Sequence, residues 1–141
     1  MSAASNYLEN KVLDHVLGEG ARTFTSPATI YLALFKETGT GTLANLEAGT
    51  LTDEISTSGT AYARAGVNFS AASSGTAATN GTVTWTTATA DWGTVTAVAV
   101  VDSPTALAGN VLFYGNLTTS KTIANGDTFQ ISSTNLTVSL A

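Results

Sequence analysis

Trp85-Thr-Thr-Ala-Thr-Ala-Asp-Trp-Gly-Thr-Val-Thr-Ala-Val-Ala-Val-Val-Asp102 is the stretch that decides the fold. It holds both tryptophans, a compact turn at Asp91-Trp92-Gly93, and then the longest unbroken run of β-forming residues in the chain. Val and Thr are stiff at χ1 and suit a pleated surface with neighbours on each side, so the run from Trp92 to Asp102 predicts a central strand. No nucleophile, base or metal-ligand cluster sits on it. Its predicted task is to carry a core and not a reaction.

Short strands and turns surround this stretch. Ala61, Ala63, Ala65, Val67 and Phe69 alternate with Tyr62, Arg64, Gly66 and Asn68, and Asn80-Gly81 is a turn signal leading into the strand Thr82 to Thr87. Downstream, Ser103-Pro104 opens a loop and Asn110 to Tyr114 reads as a strand. Asn125-Gly126-Asp127 turns into Thr128 to Ile131, and Leu136, Val138 and Leu140 alternate to the end. Seven or eight short strands at near-regular spacing predict a mainly β fold, a single-domain β-sandwich of jelly-roll-like form with one N-terminal α-helix.

That helix spans residues 5–18. Asn6 is its predicted N-cap, with Glu9 three residues on, and Gly18 its stop. Leu8, Val12, Val16 and Leu17 form one apolar stripe with Leu13 at its edge, which must dock on the sheet or on a neighbouring chain because three turns are marginal alone. The first strand, residues 27–36, is apolar on both faces, with Ile30, Leu32 and Leu34 on one and Tyr31, Ala33 and Phe35 on the other. Both faces are therefore covered, one by a second sheet and the other by the helix or a partner.

Residues 38–59 read as a long Gly/Thr-rich loop carrying Leu43, Leu46, Leu51 and Ile55. Connections beyond about 12 to 15 residues are uncommon in compact domains, and ordering one costs roughly 1 to 2 kcal/mol per residue in backbone entropy. Two readings hold it in place: an arm packed on a partner, or an internal hairpin closing over the end of the sandwich. The remaining strands fill residues 60–141.

The composition narrows function by exclusion. The chain has 141 residues, one domain by size, with 43% hydrophobic but only 11% charged residues, against about 25% charged in an average soluble domain. The surface is thus predicted to be Thr, Ser, Asn and Gly, poorly defended against association, and few strands carry the Lys or Pro that usually blunt sheet edges. Net charge is -5, and the five cations Lys11, Arg22, Lys36, Arg64 and Lys121 are scattered, which argues against nucleic-acid binding. No apolar run approaches the ~20 residues of a membrane span. The N-terminus lacks the charged start and apolar core of a signal peptide.

Candidate chemistry is sparse. His15 is the single histidine and cysteine is absent, so zinc or copper sites are not expected, nor any cofactor. Asp53 and Glu54 read as a solvated acidic pair, and Asp91, Asp102 and Asp127 as turn carboxylates bonding backbone amides. Trp85 and Trp92 have two uses, stacking a sugar or packing a core, and core packing fits their surroundings better. No phosphate loop, Gly-x-Ser-x-Gly elbow or His-Glu-x-x-His occurs, so the chain reads as a non-enzyme.

Several stretches carry a resemblance: Ser5-Asn-Tyr-Leu-Glu-Asn-Lys-Val-Leu-Asp-His-Val-Leu-Gly18, Pro27-Ala-Thr-Ile-Tyr-Leu-Ala-Leu-Phe35, Gly59-Thr-Ala-Tyr-Ala-Arg64, Ala90-Asp-Trp-Gly-Thr-Val95, Gly109-Asn-Val-Leu-Phe-Tyr-Gly115 and Thr119-Ser-Lys-Thr-Ile-Ala-Asn-Gly-Asp-Thr-Phe129. They resemble a family of small virion structural proteins of tailed bacteriophages, described as head decoration, tail or tail-fibre-like proteins. The resemblance implies localisation in the virion and no catalytic residues. Its first implication is a capsid decoration or cement protein, a homotrimer on the outer capsid surface clamping the major capsid protein. A tail component, as part of a tube, baseplate or fibre among other tail proteins, is the alternative, and a carbohydrate-binding module using Trp85 and Trp92 is a third. Tyr7, Leu8, Lys11, Leu43, Leu46, Leu51 and Ile55 are the predicted partner interface.

Overall fold

A computed structural model describes residues 3–18, 22–37 and 41–140. The predicted central strand is β6, Gly93–Val101, the middle member of a five-stranded antiparallel sheet. On one side it pairs with β2 (Ile30–Phe35), from Tyr31 opposite Val101 to Phe35 opposite Ala97. On the other it pairs with β7 (Val111–Ile123), from Gly93 opposite Ile123 to Val101 opposite Val111. Two short edge strands finish the sheet: β1 (Ala3–Ala4) on β7 and β3 (Ala65–Val67) on β2.

The sheet is apolar on both faces, as the first strand implied, and each face builds a separate core. Leu32, Leu34, Val95, Val98 and Val100 belong to one cluster, while Ala33, Phe35, Ala97, Ala99 and Val101 belong to the other. Along β6 the parity changes at Thr96, since Val95 shares a face with Val98 and not with Ala97. The ladder is irregular at the same point. Thr96 alone lies between the paired residues Val95 and Ala97, whereas Leu117, Thr118, Thr119 and Ser120 lie between their partners Lys121 and Asn116. The extra chain lies in β7, and the change of face along β6 coincides with this irregularity in the pairing.

Over the first face lie two ribbons in place of one continuous second sheet. β4 (Thr76–Ala78) pairs with β9 (Thr137–Ser139), and β5 (Val83–Thr84) with β8 (Gln130–Ile131). They deliver Val83, Trp85, Phe129 and Ile131 to the core. The fold is mainly β and sandwich-like, with its second layer divided; the nine strands among the described residues include several of only two or three residues.

The helix α1, Asn6–Leu17, forms where its periodicity placed it, but Ser5 and not Asn6 is the cap: its Oγ accepts from Leu8 N–H at 3.3 Å. The same hydroxyl donates to the Val111 carbonyl, and Ser5 N–H donates to Leu112 at 2.9 Å, so the cap is anchored to β7. Gly18 ends α1 in extended conformation, where a Cβ would stand 2.4 Å from the Asp14 carbonyl oxygen. Close approach is what demands glycine there.

Residues 38–59 contain the largest departure from expectation. Residues 38–40 lie outside the described residues, and the rest of the segment is neither an arm reaching outward nor a hairpin over the sandwich end. Thr42–Glu47 is a helix, α2, laid on the second face of the sheet with Leu46 fully buried. The chain then returns beside β2, with Lys36 N–H donating to Asp53 and Ile55 N–H to Leu34, each at 3.0 Å. Burying leucines against Ala33, Phe35, Val101 and Val111 offsets the ordering cost that the sequence assigned to a partner. The second face is thus covered by this segment, while Leu8 of α1 joins the first cluster.

Candidate partner-binding surfaces

The structure divides the seven predicted interface residues. Leu8, Leu46, Leu51 and Ile55 are each less than 10% exposed and belong to the chain's own two cores, so those four side chains are not available to a partner. This corrects the interface reading at those positions: an apolar residue in a polar loop attracted a partner in the sequence because the strands it packs on, β6 and β7 for Leu46 of α2, are distant along the chain. Tyr7 and Leu43 are half-buried. Lys11 is exposed, its ammonium 5.9 Å from the Tyr7 ring centre in cation–π range.

The acidic pair is also corrected. Asp53 and Glu54 are both buried, not solvated. Asp53 accepts from Thr42 Oγ1 at 2.7 Å, fastening the start of α2. Glu54 meets Arg64 side-on, Oε1 to Nε and Oε2 to Nη2 both at 2.8 Å, in a bidentate pair whose side chains are fully buried. Arg64 Nη1 donates to the carbonyls of Ser103 and Ala108, and Glu54 Oε2 accepts Leu107 N–H at 2.7 Å. Every described contact of this pair is internal. It ties the α2 segment, residues 60–64 and the 103–108 loop into one knot and offers no free base or nucleophile.

Tyr62 completes the knot. Its hydroxyl donates to Glu54 Oε1 and accepts Leu34 N–H at 2.9 Å, while its ring meets Trp92 edge-on at 5.4 Å. Burial, then the Glu54 charge, pushes its pKa well above the ordinary tyrosine value. The strand alternation predicted for residues 61–69 fails here: Tyr62 and Arg64 point inward, and only Ala65–Val67 is strand. Ala61 adopts a positive φ of 57°, which breaks the run.

Trp85 and Trp92 are core residues, 2% and 1% exposed. Trp92 Nε1 donates to Thr60 at 2.9 Å and Trp85 packs against Phe129 at 5.2 Å. Neither ring can stack on a sugar from this position, which removes the platform of the carbohydrate reading. The turn carboxylates behave as read: Asp91 accepts Asn125 N–H, Asp102 accepts Asn110 N–H and its amide, and Asp127 accepts Ala124 N–H. Among the described residues no three His, Asp or Glu side chains gather as a metal site, and no helix is long and apolar enough to cross a membrane.

Two kinds of surface are left. On α1 the stripe divides: Leu8 is buried and Val12 half-buried, whereas Leu13, Val16 and Leu17 are 55, 61 and 72% exposed. Between the sheet and the split second layer run clefts, one of about 280 Å³ walled by Ile30, Phe69, Leu112 and Val138, and one of about 230 Å³ between β7 and residues 129–138. Sequence pattern gave no sign of the clefts, because they arise from a divided layer and a bulge. The exposed stripe was visible as amphipathicity.

Comparison with known proteins then assigns the chain a relative. The profile of the family described as podophage GP4 fiber I protein gp80 matches residues 3–139, almost the whole chain. No curated protein matches it. The match supports a bacteriophage structural protein, and of the head and tail resemblances seen in the sequence it favours the tail.

Proposed function

The chain belongs to the podophage GP4 fiber I protein gp80 family, and from that premise we propose that it is a structural component of a phage tail fibre, assembling with itself and with neighbouring tail proteins. The carrying observation is the match over residues 3–139 to a protein described as a fibre protein. The architecture supports a mechanical role. Among the described residues the buried Asp53, Glu54, Tyr62 and Arg64 side chains are bonded within the fold, and α1 turns Leu13, Val16 and Leu17 outward where a neighbouring subunit would bury them.

The test is location. Tails separated from heads and labelled with antibody against this chain are expected to show it in the tail fraction, on fibres seen by electron microscopy. Label on heads at about one copy per capsid-protein subunit, with none on tails, would overturn the fibre reading and return the protein to capsid decoration.

A further inference from the structure

We propose that the cleft between β7 and residues 129–138 is a subsite for one hydroxyl-rich sugar ring. The cleft is built by the bulge in β7, where Leu117 to Ser120 leave the ladder opposite Thr96; such bulges re-aim side chains at binding sites. Asn116, Thr118, Thr119 and Lys121 line it from that strand, with Gln130 and Asn135 opposite. Its volume of about 230 Å³ suits a single ring, below the ~300 Å³ at which sites for larger ligands begin.

The lining chemistry selects the ligand class. A side-chain amide offers donor and acceptor side by side, and a hydroxyl offers both, which is the pattern adjacent sugar hydroxyls require. Gln130 accepts from Thr84 through Oε1 at a long 3.5 Å, which leaves its amide hydrogens for a ligand. Phe129, Leu136 and Val138 supply apolar surface for the C–H faces of the ring. No carboxylate lines the cleft and Lys121 is its single charged group, so bare cations are excluded, and an acidic sugar is favoured over a neutral one. With no acid pair to cleave a glycosidic bond, the site binds and does not hydrolyse. This ligand site is independent of the fibre reading, and location in heads or tails leaves it untouched.

Glucuronate, galacturonate, glucose and galactose are the probes, titrated into the full chain and followed in amide NMR spectra. A saturating response is expected from at least one uronate, with shifts concentrated at Asn116, Thr119, Gln130 and Asn135. Gln130→Ala and Asn135→Ala, both at exposed positions, should each weaken binding about tenfold, one hydrogen-bonded contact's worth, while Leu13→Ala on α1 leaves it unchanged. No saturation by any probe, or binding that survives the Gln130→Ala/Asn135→Ala double variant, overturns the site. A response only to an extended peptide assigns the cleft to a protein partner and overturns it equally.

Discussion

The two faces of the central sheet are covered by different means. On the second face, one continuous segment lays α2 over β6 and β7 and fixes itself by Asp53 and Glu54. On the first, two short ribbons and half a helix share the work, and clefts remain between them. The contrast teaches that a polar anchor inside the fold closes a face that few leucines could close alone, whereas an apolar face without one is left partly open. A buried ion pair is weak as a source of stability but strict about geometry, because either partner alone is a desolvated charge.

The contrast breaks most sharply at the knot. Arg64→Met leaves Glu54 buried against only Tyr62 and Leu107 N–H, and loses both carbonyl contacts to the 103–108 loop. Denaturant unfolding should show a loss of about 3 to 5 kcal/mol, and Glu54→Gln combined with Arg64→Met should lose less than the two single changes added. Strict additivity would mean the two side chains are not coupled. Next in size, Leu46→Ala on the closed face should cost about 2 to 5 kcal/mol, since nothing can move into the space. Leu136→Ala at the cleft rim, half-buried, should cost about 1 kcal/mol. Equal losses would show that the two faces are packed alike.

What could be read in the sequence follows the range of the forces involved. β6 was legible because a Val-rich run needs cover on both sides whatever supplies it, and α1 because its periodicity is local. The cap slipped by one residue, from Asn6 to Ser5, since both are capping types and the bond that decides between them is to Val111, over a hundred residues away. Glu54 and Arg64 stand ten residues apart with no helical spacing to join them, so their pairing was invisible and the acid was read as solvated. Leu46 and Leu51 were recognised as needing burial, but only the folded chain shows that Phe35 and Val111 provide it. The β7 wall of the cleft had no signal at all: the strand read from the sequence stops at Tyr114, short of Leu117 to Ser120, whereas β7 runs on to Ile123.

Tyr62 joins the two faces, since its ring packs on Trp92 in the first core while its hydroxyl bonds Glu54 of the α2 segment. It therefore reports on both at once, through pH. In the unfolded chain it titrates near its ordinary value of 10.0, and in the folded one burial and the Glu54 carboxylate hold its proton on well above that. Between those two values the unfolded state binds fewer protons than the native state, so stability falls as pH rises, and below the ordinary value the shift has no effect on the pH slope. Above pH 10 the slope from this one group should approach about 1.4 kcal/mol per pH unit. Tyr62→Phe removes the titration along with the bonds to Glu54 and Leu34, so the variant should start lower at neutral pH and then lose stability less steeply in alkali. Tyr114, also raised by burial and by the Glu47 and Glu9 carboxylates, is present in both proteins and cancels in the difference. Parallel curves above pH 10 would show that the Tyr62 hydroxyl reaches water, and with it that the anchor between the faces is open.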